Sequence, residues 1–190
     1  MKKNLKDFHH YKGNELNRFE KVEKRVIELI LDSKIPNEER EESKVFELMH
    51  SSGCMAIGRV LAQKRGLNVD IASVISIIHD ISTIISGTYK DHGKLGAEIS
   101  EKILQEVGGF TEIETKIITQ AVCHHSEKEV YTDKPYVEFI KDLDAFECSL
   151  YKNSEGFYKI HKAPHVLKEY IKRIKKVRKE FGLKATEVFR

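Results

Sequence analysis

The sequence has few of the residues that cross-link small secreted domains. Its 190 residues include three cysteines, Cys54, Cys123 and Cys148, an odd number with no Cys-x-x-Cys pair. This pattern argues against a disulfide framework and against a zinc–thiolate site, and it predicts a cytoplasmic location. The first residues lack the apolar segment of a secretory signal, and no stretch approaches the roughly 20 apolar residues that span a bilayer. We therefore predict a soluble protein with no membrane partner.

The charge balance also argues against one class of partner. The chain has 33 Lys and Arg against 30 Asp and Glu, a formal net charge of +3, which is too balanced to predict a polyanionic partner for the whole molecule. The excess lies in 168–190, with nine basic and three acidic residues. Apolar residues recur at helical spacing through 164–181, so we interpret the basic side chains as the solvated face of an amphipathic helix. Nucleic-acid binding there is the less favoured alternative.

Proline is rare as well, and alternating apolar and polar residues are few. The chain has three prolines, and apolar residues recur every three or four positions over much of its length, which is typical of α-helices. We predict an all-α fold, a single compact helical bundle of about six to eight helices that forms one domain over 1–190. Asn37 is the predicted N-cap of the second helix. The predicted helices cover 15–34, 37–64, 68–80, 92–106, 111–125, 134–151 and 164–181, with loops at 87–90, 108–109, 126–133 and 153–156.

What the chain does contain is a set of histidines and aspartates, the side chains that commonly bind transition-metal ions. A metal site in a helical bundle needs its ligands on stripes that face inward. His50 lies on the same helical stripe as Cys54 and Leu61, and His79 lies on the stripe of Ile75. The candidate metal ligands are His50, His79, Asp80, His92, His124, His125 and Asp144.

The pair His124-His125 leaves a choice between neighbours. His124 ends the stripe of Ile113 and Ile117, whereas His125 follows Ile118. Adjacent residues on a helix are about 100° apart, so either ring can point inward, but not obviously both. We favour His124.

Asp144 has a rival too, and each candidate has an ordinary explanation. Asp144 shares a stripe with Val137 and Ile140 and is preferred to Asp142. A single histidine is more often a half-buried side chain with a backbone partner, and a single aspartate such as Asp80 is as often a helix cap or part of an ion pair. Five helices that each present such a residue on an apolar face are harder to explain without a function. The combination predicts a metal centre.

The order of His50, His79-Asp80 and Asp144 resembles the HD superfamily of metal-dependent phosphohydrolases, which is named after that doublet. The resemblance covers about 46–151 and includes the apolar run that precedes the doublet. It implies an HD-type helical core, with the N-terminal and C-terminal helices packed on it. It also implies that these four residues hold one metal ion.

Further residues are similar to the members of that superfamily that hold two metal ions. His92 and His124 correspond to the additional ligands, and Asp80 is then implied as the bridge between the ions. Such members include diadenosine tetraphosphate hydrolases and cyclic di-GMP phosphodiesterases with a Gly-Tyr-Pro signature, which is missing after His125. Many members carry a lysine three residues after the doublet, where this chain has Thr83. Candidate replacements for that phosphate contact are Lys90, Lys94 and Lys141.

The resemblance implies hydrolysis of a phosphate ester or anhydride, most readily in a nucleotide, by a metal-activated water that Asp80, the expected catalytic residue, would hold. A histidine-rich set without thiolates suits one or two divalent transition-metal ions, with Mn or Fe expected first and Co, Ni or Zn as alternatives. Two alternatives remain open: an HD-type di-iron oxygenase, and a non-catalytic module that binds a nucleotide or RNA. A homodimer is compatible with apolar end helices.

Overall fold

The computed structural model describes residues 16–190, and this part of the chain consists of helices with no β-strand. The predicted all-α fold is confirmed. The first residue of the predicted helix 15–34 lies outside the described residues. The helices are α1 (Arg18–Asp32), α2 (Lys44–Lys64), α3 (Val69–Ile78), α4 (Ile81–Ser86), α5 (His92–Val107), α6 (Glu112–His124), α7 (Pro135–Cys148), α8 (Ser154–His161) and α9 (Pro164–Glu180).

Local sequence signals set the start of several helices. The Asn17 side chain accepts a hydrogen bond from the backbone N–H of Glu20, whose carboxylate accepts one from the Asn17 backbone at 2.8 Å. Thr111 and Glu114 form the same reciprocal pair at the start of α6. These capping boxes satisfy backbone donors that have no partner inside the helix.

The predicted N-cap of α2 is wrong. Asn37 begins a short 3-10 turn, Asn37–Glu39, after which the backbone leaves helical geometry. A second helix start is therefore needed, and Ser43 provides it by accepting a hydrogen bond from the backbone N–H of Phe46 at 3.1 Å. Asn37 still contributes from a distance, since its side chain accepts from the backbone N–H of Lys44 at 3.1 Å.

Two short helices were not predicted. α4 follows directly on Asp80 and ends at Gly87, whose φ of 76° is in the left-handed region that favours glycine. α8 begins after Asn153, within a segment predicted to be a loop, and α7 ends at Cys148, before the predicted residue 151. Helices of six and eight residues contain too few turns for apolar periodicity to reveal them.

α3 lies at the centre of the bundle. Every residue from Ile71 to Ile78 is buried, and the helix packs against α1, α2, α6 and α7. A helix that is buried on all sides can be apolar all round. This explains the run Val69–Ser86, which, contrary to the expectation from the sequence, is long and apolar enough by composition to cross a membrane. Of this run, 78% is buried inside the protein. The doublet His79-Asp80 lies inside this run.

Two glycines determine how closely neighbouring helices approach. A Cβ atom on Gly93 of α5 would lie 2.5 Å from the carbonyl oxygen of Cys123 in α6, and one on Gly58 of α2 would lie 2.5 Å from Oγ of Ser76 in α3. Cβ contacts that short essentially never occur, so these approaches require glycine. The α5–α6 contact brings the start of α5, at His92, close to the end of α6.

α9 packs on α7 through one face and leaves a basic face exposed. Tyr170, Ile174 and Val177 are buried, and so is Arg173. The exposed lysines are Lys168, Lys172, Lys175, Lys176 and Lys179.

Candidate metal centre

Four imidazole rings converge around the doublet. His79 ends α3 and Asp80 precedes α4, and both are buried. On one side of them is His50 of α2, whose Nε2 lies 3.1 Å from Nε2 of His79. On the other side, His92 begins α5 and His125 follows α6, and their Nε2 atoms are 3.1 Å apart.

The two oxygens of Asp80 divide these rings into two pairs. Oδ2 lies 3.3 Å from Nε2 of His79 and 3.5 Å from Nε2 of His50. Oδ1 lies 3.0 Å from Nε2 of His125 and 3.8 Å from Nε2 of His92. We call these the Oδ2 side and the Oδ1 side. One carboxylate therefore lies between two pairs of nitrogen donors.

Each ring is oriented by a hydrogen bond at its other nitrogen. Nδ1 of His79 donates to the Ser76 carbonyl at 2.9 Å, Nδ1 of His92 to the Tyr89 carbonyl at 2.8 Å, and Nδ1 of His125 to the Val122 carbonyl at 2.6 Å; each acceptor is three residues before its histidine. In the remaining ring, of His50, Nδ1 donates to a carboxylate oxygen of Glu147 at 2.5 Å.

These hydrogen bonds decide whether the rings fit a metal ion. A carbonyl or carboxylate oxygen only accepts, so Nδ1 carries the proton, and Nε2 of the neutral imidazole is left with a bare lone pair. On each side of Asp80, two Nε2 atoms face each other at 3.1 Å. Two bare lone pairs at that distance would repel unless a proton or a cation lay between or beside them. The donor set therefore fits divalent cations, and the hydrogen bonds at Nδ1 are the kind that fix metal-binding histidines.

The electrostatics favour the metal-binding protonation state at Asp80 and His125 but not at His50. Burial alone would raise the pKa of the Asp80 carboxyl, but the facing rings of His79 and His125 outweigh it and hold that pKa well below its usual range. Burial lowers the pKa of His125 even though the Asp80 carboxylate beside the ring acts in the opposite direction. The lowered pKa favours the neutral ring. Burial would lower the pKa of His50, but Cys54, Cys148 and Asp80 outweigh it and raise that pKa well above its usual value, so a bound cation would displace a proton there.

Asp144 of α7 reaches the Oδ2 side with one oxygen. Its Oδ1 lies 3.6 Å from Nε2 of His50, while its Oδ2 accepts a hydrogen bond from Nζ of Lys128. Burial opposes ionisation of Asp144, yet the Lys128 ammonium keeps the pKa of this carboxyl below its usual value. Asp144 is therefore an ionised carboxylate beside the histidines.

The preference for His124 over His125 is wrong as a prediction of which ring points inward. His125 is buried at Asp80, whereas His124 is 38% exposed and its Nδ1 lies 3.0 Å from Oε1 of Glu127. The buried line along α6 runs through Ile118 and Val122 to His125.

Other residues weighed from the sequence have different roles. Asp142 is fully buried among basic side chains away from the rings. Thr83 donates its hydroxyl to the carbonyl three residues before it at 2.7 Å, so it supports the backbone of α4. Lys141 is buried and donates to a backbone carbonyl at 2.8 Å. Lys90 and Lys94 are exposed.

The sequence did not reveal the residues that support His50. Glu147, buried one turn beyond Asp144, accepts from His50 through one oxygen and from the Tyr151 hydroxyl through the other, at 2.8 Å. Gly53 leaves room for this carboxylate, because a Cβ there would lie 2.5 Å from Glu147 Oε1. The sequence alone gives no signal that the carboxylate of Glu147 is buried.

Two thiols also adjoin His50, and each belongs to a group of side chains that could hold a metal ion, Cys54 with His50 and His79, and Cys148 with His50 and Glu147. The Sγ atoms of Cys54 and Cys148 both lie 3.8 Å from Nδ1 of His50. Burial raises the pKa of both thiols, so they stay protonated at neutral pH. A cation bound there would have to displace the proton of the thiol, whereas a neutral imidazole binds without that cost.

Within residues 16–190, buried or partly buried histidine, cysteine, aspartate and glutamate side chains inside this all-α bundle form three groups that could hold a metal ion. A family model for the HD domain matches residues 48–148, and the chain therefore belongs to the HD domain family. The matched segment contains every candidate ligand, and the resemblance found in the sequence is confirmed. Members of this family are commonly hydrolases, and the family suggests the metal-dependent phosphohydrolase superfamily. No curated protein and no solved structure matches the chain.

Proposed function

We propose that this protein is a metal-dependent phosphohydrolase that cleaves a phosphate ester or anhydride, most readily in a nucleotide. The observation that carries the proposal is the position of Asp80, whose two oxygens each face a pair of imidazole nitrogens. Together, the Asp80 carboxylate and the two pairs of nitrogens would provide donors for two divalent ions. We expect Mn or Fe, with Co, Ni or Zn as alternatives.

The side chains divide the work as follows. The histidines of the Oδ2 side, together with Asp144, would hold one ion, and those of the Oδ1 side would hold the other. Bound divalent ions lower the pKa of a coordinated water and offset charge on phosphoryl oxygens. Asp80, kept ionised by its neighbours, would orient the attacking water by accepting a hydrogen bond from it. With Thr83 in place of a lysine, we expect no ammonium from that position at the phosphate.

The substrate would approach along the more open edge of the centre. The side chains of His92 and Asp144 are 16% and 15% exposed, whereas those of His50, His79 and His125 are at most 2% exposed. The inner rings are thus shielded from water, which strengthens electrostatic interactions at the reacting group.

Elemental analysis of the purified protein tests the metal content. We expect up to two ions per chain, falling towards one in His125→Ala and unchanged in the matched neighbour His124→Ala, whose ring is half exposed. One ion that survives both substitutions would confine the centre to the Oδ2 side. No bound metal in the wild type would refute the proposal.

Turnover tests the reaction. The Mn-loaded and Fe-loaded proteins would be assayed with a phosphomonoester, a phosphodiester, a dinucleoside polyphosphate and a cyclic dinucleotide. Asp80→Ala should abolish hydrolysis, and Asp70→Ala, which removes an exposed carboxylate from the first turn of α3, should not. Full activity of Asp80→Ala against every substrate would refute the assignment.

The two alternative functions have their own signatures. Bound iron with redox-dependent spectra and no hydrolysis would favour the di-iron oxygenase. Salt-sensitive RNA binding with no hydrolysis would favour the binding module, because phosphate contacts weaken as salt rises. A cytoplasmic location and a homodimer stay predictions.

A further inference from the structure

We propose that Lys128 is a positioning residue of the metal centre: its ammonium holds Oδ2 of Asp144, so that Asp144 offers one oxygen to a bound cation and binds it less tightly. The proposal rests on the metal-binding part of the proposed function. It also assigns a role to α9, which lies outside the segment matched by the HD family model.

The contacts of Lys128 carry the argument. The side chain is fully buried, and Nζ donates to Oδ2 of Asp144 and to the carbonyl oxygen of His125 at 2.5 Å. Nζ also lies 5.7 Å from the centre of the Tyr170 ring in α9, within range of a cation–π interaction. A buried ammonium needs acceptors for its three N–H groups. Two of the acceptors here belong to candidate metal ligands, the carboxylate of Asp144 and the backbone carbonyl of His125.

Arg173 of α9 fixes the backbone that carries Lys128. Its Nε donates to the Lys128 carbonyl at 2.7 Å, and its Nη2 donates to the Val130 carbonyl at 3.2 Å. The guanidinium is itself fully buried and paired with Asp142 at 2.7 Å. The backbone at Lys128 is therefore fixed by α9, a helix that contributes no candidate metal ligand.

This arrangement has a consequence for cation binding. Oδ1 of Asp144 faces His50, while Oδ2 of the same carboxylate accepts from the Lys128 ammonium. The ammonium already offsets part of the negative charge of the carboxylate. A divalent ion at that face would also be repelled by the positive charge of Lys128, and in a buried site this repulsion is weakly screened. Removal of the charge should therefore strengthen metal binding, whereas loss of a merely structural contact would weaken it.

Isothermal titration with Mn²⁺ distinguishes these effects. The relevant site is the one that Asp144→Asn weakens or removes. Lys128→Met removes both the charge and the hydrogen bond, and Lys128→Gln removes the charge but retains a donor. We expect both variants to bind Mn²⁺ at this site at least about tenfold more tightly than the wild type. Lys141→Met is the matched control, since Lys141 is equally buried and contacts no candidate ligand; its affinity should stay within about threefold.

The outcomes separate this proposal from the proposed function. Equal or weaker Mn²⁺ binding in folded Lys128 variants would overturn it, as would a Lys141→Met variant that gains as much affinity. If Lys128→Met does not fold, the test compares Lys128→Gln, which removes the charge, with Lys128→Arg, which retains it. Lys128→Arg should bind Mn²⁺ as tightly as the wild type does. Mn²⁺ binding without hydrolysis would refute the enzyme but leave this inference standing, whereas a wild type that binds no Mn²⁺ would overturn both.

Discussion

The close approach of α5 to α6 can be perturbed by a single methyl group. In Gly93→Ala the added Cβ would lie 2.5 Å from the Cys123 carbonyl oxygen, where ordinary contact begins near 3.4 Å. The carbonyl belongs to the backbone, so the two helices have to separate by most of an ångström. Overpacking costs about 1–3 kcal/mol, while alanine in a helix otherwise gains about 0.5–1 kcal/mol over glycine. We expect a net loss of about 1–2 kcal/mol in the free energy of unfolding, or a melting temperature lower by roughly 2–8 °C.

The metal centre should respond more strongly than overall stability. His92 is the residue before Gly93, and its Nε2 lies 3.1 Å from that of His125, so separation of the helices moves one ring away from the other. Such sites tolerate displacements of about 0.5 Å. We expect Mn²⁺ affinity on the Oδ1 side to fall by at least about tenfold.

Thermal unfolding and Mn²⁺ titration measure both effects in the same samples. Gly156→Ala in α8 is the matched control, because nothing lies within 4 Å of a Cβ added there. It should leave the Mn²⁺ affinity unchanged and, through helix propensity alone, raise the melting temperature by about 1–4 °C. A Gly93→Ala protein with the melting temperature and the Mn²⁺ affinity of the wild type would refute the argument that glycine builds this side of the centre.

Three further substitutions test buried charges in the bundle. Glu147→Gln should weaken Mn²⁺ binding about 10–100-fold without unfolding the protein, because the carboxylate that orients His50 is lost; unchanged affinity in a titration would contradict this role. Arg173→Met should lower the free energy of unfolding by about 3–5 kcal/mol, because it removes a partner of buried Asp142; a loss below about 1 kcal/mol in chemical denaturation would count against it. Burial and a neighbouring carboxylate raise the pKa of Glu47 to about 8 in the folded protein. Between about pH 5 and pH 8 the unfolded chain therefore loses a proton that the folded metal-free protein keeps, and the free energy of unfolding falls as the pH rises. Glu47→Gln should thus gain stability relative to the wild type over that range, and parallel pH profiles would disprove it.

The sequence predicted the helices and the burial of several histidines because both depend on local periodicity. His50 and His79 lie on stripes whose apolar members are buried, and both rings are buried in the structure. The choice of His124 failed because residues spaced by four drift about 40° per step around a helix with 3.6 residues per turn. The stripe used for it begins at Ile113, which is 73% exposed, and so leaves the core before the helix ends.

The supporting charges could not be predicted in the same way. Lys128 lies in a charged segment of the kind that usually forms a solvated loop. Arg173 lies in a helix rich in basic residues, of the kind that usually lies on the protein surface. Each is buried only because its partners come from distant parts of the chain: 16 residues away for Lys128 with Asp144, and 31 for Arg173 with Asp142. Pairings of this kind depend on the tertiary fold, and one sequence contains no signal for them.

The hydrogen bonds from the histidine rings to backbone carbonyls indicate which side of the centre can form first during folding. His79, His92 and His125 each take their orientation from a carbonyl in their own turn of backbone, so these rings are directed as soon as the local turns form. His50 instead depends on a carboxylate 97 residues away. The Oδ1 side therefore needs little conformational rearrangement once α5 and α6 meet, whereas capture of an ion on the Oδ2 side is tied to completion of the fold. Partial opening of α2 from α7 would then disturb the Oδ2 side before the Oδ1 side.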